Sequence, residues 1–145
     1  MATYNPSTRY WTLDANEVDF ALPAGTTTDN IRDNALSNRL TGDDGSNQLE
    51  AHQGGADTLV GGKGDERYWI ALTDTVIIEH DGEGIDEIYL DTNVRHVLGD
   101  ISYTIPDFVE KFWLDTNQQN SIIVGNDLDV ITHAPFWPEV QADTV

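Results

Sequence analysis

Oxygen-bearing side chains recur at a nearly constant spacing in the first half of the sequence. Each of four carboxylate or carboxamide residues precedes an apolar residue by two positions, and the apolar residues recur at spacings of nine, ten and nine. The polar members are Asn38, Asn47, Asp57 and Glu66, and the apolar members are Leu40, Leu49, Leu59 and Tyr68. Carboxylate, amide and carbonyl oxygens, without imidazole or thiolate in the pattern, are the ligands that Ca²⁺ prefers.

The turn that precedes each polar position is rich in glycine, aspartate or asparagine. The four turns read DNALSN, GDDGSN, HQGGAD and GGKGDE. Glycine reaches backbone angles that are closed to residues with a Cβ, so such turns fold back tightly and direct carbonyl oxygens into the turn. In a stacked coil, one turn would supply half of the ligands of a cation. The turn two units later, on the same side of the coil, would supply the rest.

The nine-residue period predicts a coil of alternating turns and three-residue strands, with one apolar residue of each unit packed inward. After Tyr68 the pattern changes to segments rich in Ile, Val, Tyr and Thr, which are typical of strands. These segments are 75–79, 85–90, 101–105, 108–114 and 121–124. No segment has a convincing helical period, so we expect an all-β chain.

The composition restricts the partners of the chain. Its 145 residues contain 26 Asp and Glu against 7 Lys and Arg, a formal net charge of −19. Such a surface repels nucleic acid and anionic membranes, and a bound cation would offset it. Halophilic adaptation or solubility explains the charge equally well. The chain has no cysteine, no apolar run of transmembrane length and no N-terminal signal peptide pattern.

The segment GGADTLVGGKGDERYWI, which begins at Gly54, resembles the calcium-binding nonapeptide of the RTX (repeats-in-toxin, hemolysin-type) family. The resemblance extends over roughly residues 18–132. It implies a parallel β-roll, or β-solenoid, with short Gly/Asp turns, capped by flanking β-strands and folding on Ca²⁺ binding. It also implies a secreted bacterial protein exported by type I secretion. We interpret 1–145 as one domain, with a nonapeptide coil block at 33–69 and, at 70–132, a strand block with the start of a second repeat unit.

Two candidate metal sites follow when turns on the same side of the coil are paired. The residues of the first, in the turns 33–38 and 52–57, are Asp33, Asn38 and Asp57. The residues of the second, in the turns 42–47 and 61–66, are Gly42, Asp44, Asn47, Gly62, Gly64 and Glu66. By the resemblance, Asp86 closes the last coil; a solvated acidic edge explains it equally well. Because only Asp57 has the residue type of the regular repeat, we expect one or two weak sites.

Two other functions remain open at this level. The first is a glycan-binding or surface-binding adhesin module, since Trp69 and Trp113 alternate with core positions and an outward orientation would expose them. Packing of these rings in the core or at an interface is the stronger expectation. The second is an auxiliary module of a secreted enzyme whose catalytic domain lies elsewhere. The chain has no nucleophile-elbow or Walker motif, so we expect no catalysis by this chain. Segments 18–41 and 109–132 share a similar order of residues, which predicts flanking tandem repeats or other domains.

Overall fold

The computed structural model describes residues 1–71, 73–91, 101–115, 122–126 and 130–133. These residues form fourteen short strands and no helix, as the sequence predicts. The strands are β1 (Thr3–Asn5), β2 (Tyr10–Thr12), β3 (Asp19–Ala21), β4 (Asn30–Arg32), β5 (Arg39–Thr41), β6 (Gln48–Ala51), β7 (Thr58–Val60), β8 (Arg67–Ile70), β9 (Val76–Ile78), β10 (Glu87–Asp91), β11 (Ser102–Thr104), β12 (Lys111–Asp115), β13 (Ile122–Val124) and β14 (Val130–His133).

The strands stack as a parallel β-solenoid, which confirms the predicted β-roll. The larger sheet has the order β1-β2-β4-β6-β8-β10-β12-β14, and the strands between them form β3-β5-β7-β9 and β11-β13. All pairs are parallel except β1 with β2. Ile31 pairs with Leu49, Leu49 with Tyr68, and Tyr68 with Ile88. One coil is therefore about two nonapeptide units long.

The core lies between the sheets and consists of the apolar position of each unit. Leu40, Leu49, Leu59 and Tyr68 are completely buried, which confirms their predicted inward orientation. Leu49 and Tyr68 form a row that continues through Ile88 on the larger sheet. Leu40 and Leu59 form a second row, which continues through Ile77 on the smaller sheet. Burial of these side chains is the main favourable contribution to the fold, at about 25 cal/mol per Å² of apolar surface.

Glycine is required where one turn lies directly against the turn of the preceding coil. Gly64 has a φ of 111°, in the region that side chains with a Cβ rarely adopt. A Cβ at Gly84 would collide with the carbonyl oxygen of Gly64. The Gly/Asp turns therefore set how closely successive coils stack, and the acids beside them are brought close together.

The antiparallel strand β1 pairs with β2, which is the first of the parallel strands in the larger sheet. Tyr4 on β1 packs against Trp11 on β2, with ring centroids 4.8 Å apart, and Trp11 packs against Phe20 at 5.4 Å. Strand β1 therefore ends the stack of parallel strands at its N-terminal side.

The two similar segments 18–41 and 109–132 begin on different sheets of the solenoid, the first with β3 of the smaller sheet and the second with β12 of the larger sheet. In the alignment of these segments, Leu40 corresponds to Ile131, but Leu40 is on β5 of the smaller sheet and Ile131 on β14 of the larger sheet. The two segments therefore share the half-coil unit and differ in their place in the coil. Flanking tandem repeats stay a prediction.

Candidate metal centre

Three carboxylates converge at one row of turns in the described part of the chain. Glu66 immediately precedes β8, Asp86 immediately precedes β10, and Glu79 immediately follows β9. One carboxylate oxygen of each residue lies within 4.8 Å of those of the other two. Their exposed fractions are 0%, 1% and 7%, respectively. Neighbouring coils thus bring together three acidic groups that are nearly removed from solvent.

Four of the six carboxylate oxygens in this cluster have no hydrogen-bond partner. They are both oxygens of Glu66, Oε2 of Glu79 and Oδ2 of Asp86. The other two are occupied, because Asp86 Oδ1 accepts a 2.8 Å bond from the Glu66 backbone N–H and Glu79 Oε1 accepts one from the Tyr68 hydroxyl. No ion pair among the described residues involves the cluster. Buried, unpaired carboxylates are strongly unfavourable unless they bind a proton or a cation.

Burial changes the protonation of the cluster. It raises the pKa of Glu79 to about 9, and the nearby charges of Asp86 and Glu66 act in the same direction. Burial also raises the pKa of Glu66 to about 8 and that of Asp86 to about 6. The charge of Asp86 adds to the pKa shift of Glu66, which the Asn47 backbone N–H partly offsets, and the charges of Glu110 and Asp65 add to the pKa shift of Asp86. Without a metal, the cluster therefore retains protons at neutral pH, and a cation that binds there must displace them.

Gly61 lies directly against the cluster and has no side chain to displace its members. A Cβ at this position would collide with the Tyr68 hydroxyl and with Glu79 Oε1, and it would lie 3.0 Å from Glu66 Cγ. The donor set consists of carboxylate oxygens without sulfur or imidazole nitrogen. Such a set fits a hard cation such as Ca²⁺ or Mg²⁺ and not a soft transition metal.

The acid nearest the N-terminus in the same row of turns is neutralised by the protein. Asp29 immediately precedes β4, as Glu66 precedes β8. It accepts hydrogen bonds from Tyr4 at 3.1 Å and from Trp11 at 3.2 Å, and Arg9 lies 3.5 Å from it. Asp29 consequently has donors that the cluster lacks.

The two asparagines predicted as ligands are bonded to protein groups. Asn47 Nδ2 donates to the Asp29 carbonyl at 2.9 Å, and its Oδ1 accepts from the Asp43 N–H at 2.8 Å. Asn38 Nδ2 donates to the Glu17 carbonyl at 2.9 Å, and its Oδ1 accepts from the Asn34 N–H at 3.2 Å. Each asparagine thus links two coils without a metal, and a ligand role for either stays a prediction.

The predicted pairing of same-side turns is present in the structure. In the first pair, the Asn38 N–H donates to Asp57 Oδ1 at 2.8 Å. In the second pair, Lys63 Nζ lies 3.1 Å from Asp44 Oδ2, and Gly62 lies against the Asp43 carbonyl. Asp44 is largely exposed and bound to this lysine. Gly42 donates its N–H to Val60 O and Gly64 donates to Glu83 O, so both glycines serve coil stacking.

Asp33 and Asp57 form a second group of buried acids on the other row of turns. Asp33 is completely buried, and its Oδ1 has no partner, while Oδ2 accepts from the Gln53 N–H at 2.8 Å. Burial raises the pKa of Asp33 to about 7, with a contribution from Asp57, and that of Asp57 to about 6. This group has fewer unpartnered oxygens than the cluster of Glu66, Glu79 and Asp86.

Glu79 was not among the residues predicted from the sequence. The prediction considered Gly/Asp turns, whereas Glu79 follows the apolar strand β9. The alternation of strand side chains contains the signal, because Ile77 is buried in the core and the residue two positions later points to the same side. An acidic residue at an inward-pointing position can therefore be predicted to be buried.

Trp69 and Trp113 lie on the outer face of the larger sheet, with Tyr89 between them. The ring centroids are 4.5 Å and 5.7 Å apart, and the planes are within 7° and 2° of parallel. The rings turn their faces to one another, which leaves mainly their edges for a ligand. Tyr68 instead points into the core, and Trp137 lies outside the described residues.

Comparisons with protein-family models, curated proteins and solved structures find no match to this chain. Within the described ranges, no helix is long and apolar enough to cross a membrane. Function is therefore inferred from the residues and their geometry.

Proposed function

We propose that this chain is a calcium-binding β-roll module whose folding is coupled to the metal. One observation carries the proposal: Glu66, Glu79 and Asp86 are buried together, and four of their oxygens have no partner. The raised pKa values mean that protons occupy the site in the absence of a cation. A divalent cation would replace those protons and neutralise most of the local charge.

Calcium fits the donor set better than magnesium. Ca²⁺ accepts six to eight oxygens in flexible geometry, whereas Mg²⁺ requires near-ideal octahedral geometry and usually keeps several waters. The cluster offers four unpartnered carboxylate oxygens, and carbonyl oxygens from the glycine-rich turns would supply further ligands. The site is also closed to solvent, which disfavours an ion that retains its water shell.

Coupling to folding follows from the place of the ligands in the chain. Glu66 and Asp86 come from turns of two successive coils, and Glu79 immediately follows β9, which lies between them in the sequence. An unfolded chain would not hold these groups together, so the free energy of binding becomes free energy of folding. A free Ca²⁺ concentration of 100 times Kd would stabilise the fold by about 2.7 kcal/mol.

The resemblance to RTX repeats supports a wider proposal for the parent protein. The module would belong to a secreted bacterial protein exported by type I secretion, and it would have a binding and structural role rather than a catalytic one. In such a protein, the low calcium of the cytoplasm would keep the module loose until export. Circular dichroism of the chain at cytoplasmic and extracellular calcium concentrations tests this step.

Calorimetry and circular dichroism test the metal site directly. We expect Ca²⁺ to bind with a folding heat and to increase the β signal. Asp86→Asn keeps an oxygen that accepts the Glu66 N–H bond but removes a ligand charge, so we expect Ca²⁺ affinity to fall by more than about 100-fold, because loss of an outer-shell partner alone costs about 10–100-fold.

The matched control is Asp19→Asn, the same chemical change at an exposed position on β3. It should leave the affinity within about twofold of the wild type, since exposed charges contribute little. Identical spectra in EDTA and in millimolar Ca²⁺, together with no heat of binding, would contradict the proposed function.

A further inference from the structure

The hydroxyl of Tyr68 has no explanation in the packing of the core. Tyr68 is completely buried in the inward row of the larger sheet, and its neighbours in that row, Leu49 and Ile88, are aliphatic. A phenylalanine would fill the same space. A buried phenol group needs a hydrogen-bond partner, and the partner of Tyr68 is Glu79 Oε1 in the carboxylate cluster.

Gly61, the first residue after β7, provides the space for this bond. Any side chain at position 61 would collide with the Tyr68 hydroxyl and with Glu79 Oε1. The φ of Gly61 is not in the left-handed region that would by itself require glycine. The requirement for glycine here is therefore the room that the Tyr68–Glu79 contact occupies.

The hydrogen bond also decides which oxygen of Glu79 is available. Oε1 accepts from Tyr68, whereas Oε2 is buried and has no partner. Glu66, by contrast, has both oxygens without a partner. A cation in the cluster would thus meet two oxygens from Glu66 but one from Glu79.

We propose that Tyr68 is a positioning residue of the metal site, which holds Glu79 through Oε1 and makes it a monodentate ligand through Oε2. This inference rests on the proposed calcium site and specifies its coordination. Tyr68 joins the hydrophobic core to the site, because the same side chain packs among aliphatic residues and orients a ligand. Outer-shell partners of this kind fix ligand orientation and raise metal affinity.

The first test compares two tyrosines in the full chain by calcium calorimetry. Tyr68→Phe should weaken Ca²⁺ binding by about 10–100-fold without changing the stoichiometry. Tyr103→Phe is the matched control, because Tyr103 is also buried but its hydroxyl has no partner among the described residues. Its affinity should remain within about twofold of the wild type. Equal affinities of the two variants would overturn the assignment.

Infrared spectroscopy of the calcium-loaded protein gives a readout that a purely structural role of Tyr68 would not change. The splitting between the two carboxylate stretching bands is wider for monodentate than for bidentate coordination, and subtraction of the Glu79→Gln spectrum isolates the bands of Glu79. We expect the wide splitting in the wild type and a narrower one in Tyr68→Phe. A narrow, bidentate splitting in the wild type would overturn the proposal even if Tyr68→Phe does not fold.

Gly61→Ala perturbs the contact from the other side and keeps the phenol group. It should also weaken calcium binding by at least tenfold, as expected for loss of an outer-shell contact, and wild-type affinity would contradict the role given to Gly61 and Tyr68. Absence of calcium binding by the wild type is a different result, which contradicts the proposed function and this assignment with it.

Discussion

The metal-free protein should lose stability as the pH rises, and calcium should remove most of the loss. Burial raises the pKa of Glu79 from 4.5 to about 9. Between these values the folded state holds a proton that the unfolded state releases, so the free energy of unfolding decreases with pH. The contribution of Glu79 is fully present below its unfolded pKa of 4.5 and is lost as the pH approaches about 9.

The expected magnitude follows from the number of retained protons. Each pH unit over which the folded state keeps one extra proton lowers the free energy of unfolding by about 1.4 kcal/mol. From about pH 6.5 to about pH 8.5, Glu79 alone therefore accounts for about 3 kcal/mol. At roughly 2–4 °C per kcal/mol for a domain of this size, the melting temperature should fall by roughly 10 °C.

Other shifted groups do not reverse this trend. Hydrogen bonds lower the pKa of Asp43 and Glu87, so both groups titrate in acid, below the range of the experiment. Burial lowers the pKa of His52 from 6.5, and its opposite effect on stability is largely complete at the start of the range. The raised pKa of Asp33, about 7, acts in the same direction as that of Glu79.

Thermal melts in EDTA and in saturating Ca²⁺ across this range provide the assay. With calcium bound, the carboxylates of the cluster are ionised ligands, so the fall in melting temperature should be reduced to the smaller part that Asp33 contributes. Glu79→Gln should make the slope in EDTA shallower, whereas Asp19→Asn, at an exposed position on β3, should leave it unchanged. A slope in EDTA that is flat or rising, or a slope that calcium leaves unchanged, would refute the reasoning.

Three further predictions concern the scaffold. Gly84→Ala should destabilise the calcium-loaded protein by about 1–3 kcal/mol, because its Cβ meets the Gly64 carbonyl; an unchanged melting temperature would contradict the stacking described. Leu49→Ala should lower the free energy of unfolding, measured in urea, by about 2–5 kcal/mol, since Leu49 is completely buried. Asn47→Asp should lower the melting temperature in EDTA, because it replaces the donor to the Asp29 carbonyl with an unpaired acid; equal or higher stability would count against the hydrogen-bonded role of Asn47.

The solenoid was predictable from the sequence because its determinants are local. The nine-residue spacing placed Leu40, Leu49, Leu59 and Tyr68 in the core before any contact was known, and all four are completely buried. Glycine-rich turns fixed the direction of the chain, since few other residues adopt the required angles. The pairing of the turns 42–47 and 61–66 follows from the same period.

The position of the carboxylate cluster was not predictable from the period. Glu66 was expected to share a site with Asn47 in the preceding coil, and the Asn47 backbone N–H does act on its carboxylate. Glu66 also meets Asp86 in the following coil, where its N–H donates to Asp86 Oδ1, and the sequence pattern did not predict this contact. The contribution of Glu79 depends on the register of β9, which the Gly/Asp pattern does not encode. Asn47, in turn, satisfies its own polar groups through contacts that appear only in the folded coil.

A single position in the turn decides where a cation is needed along this solenoid. Asp29, Asn47 and Glu66 each immediately precede a strand of the larger sheet, yet their buried oxygens have different partners. Asp29 is matched by side-chain donors, Asn47 carries its own donor, and Glu66 has no cationic, hydroxyl or amide side chain of the described residues bonded to it. In the proposed calcium module, the number of metal sites would therefore be set by the supply of nearby donors and not by the number of acids. A net charge of −19 is compatible with very few bound ions under this proposal, and exchange of one residue at this position would be expected to create or remove a site.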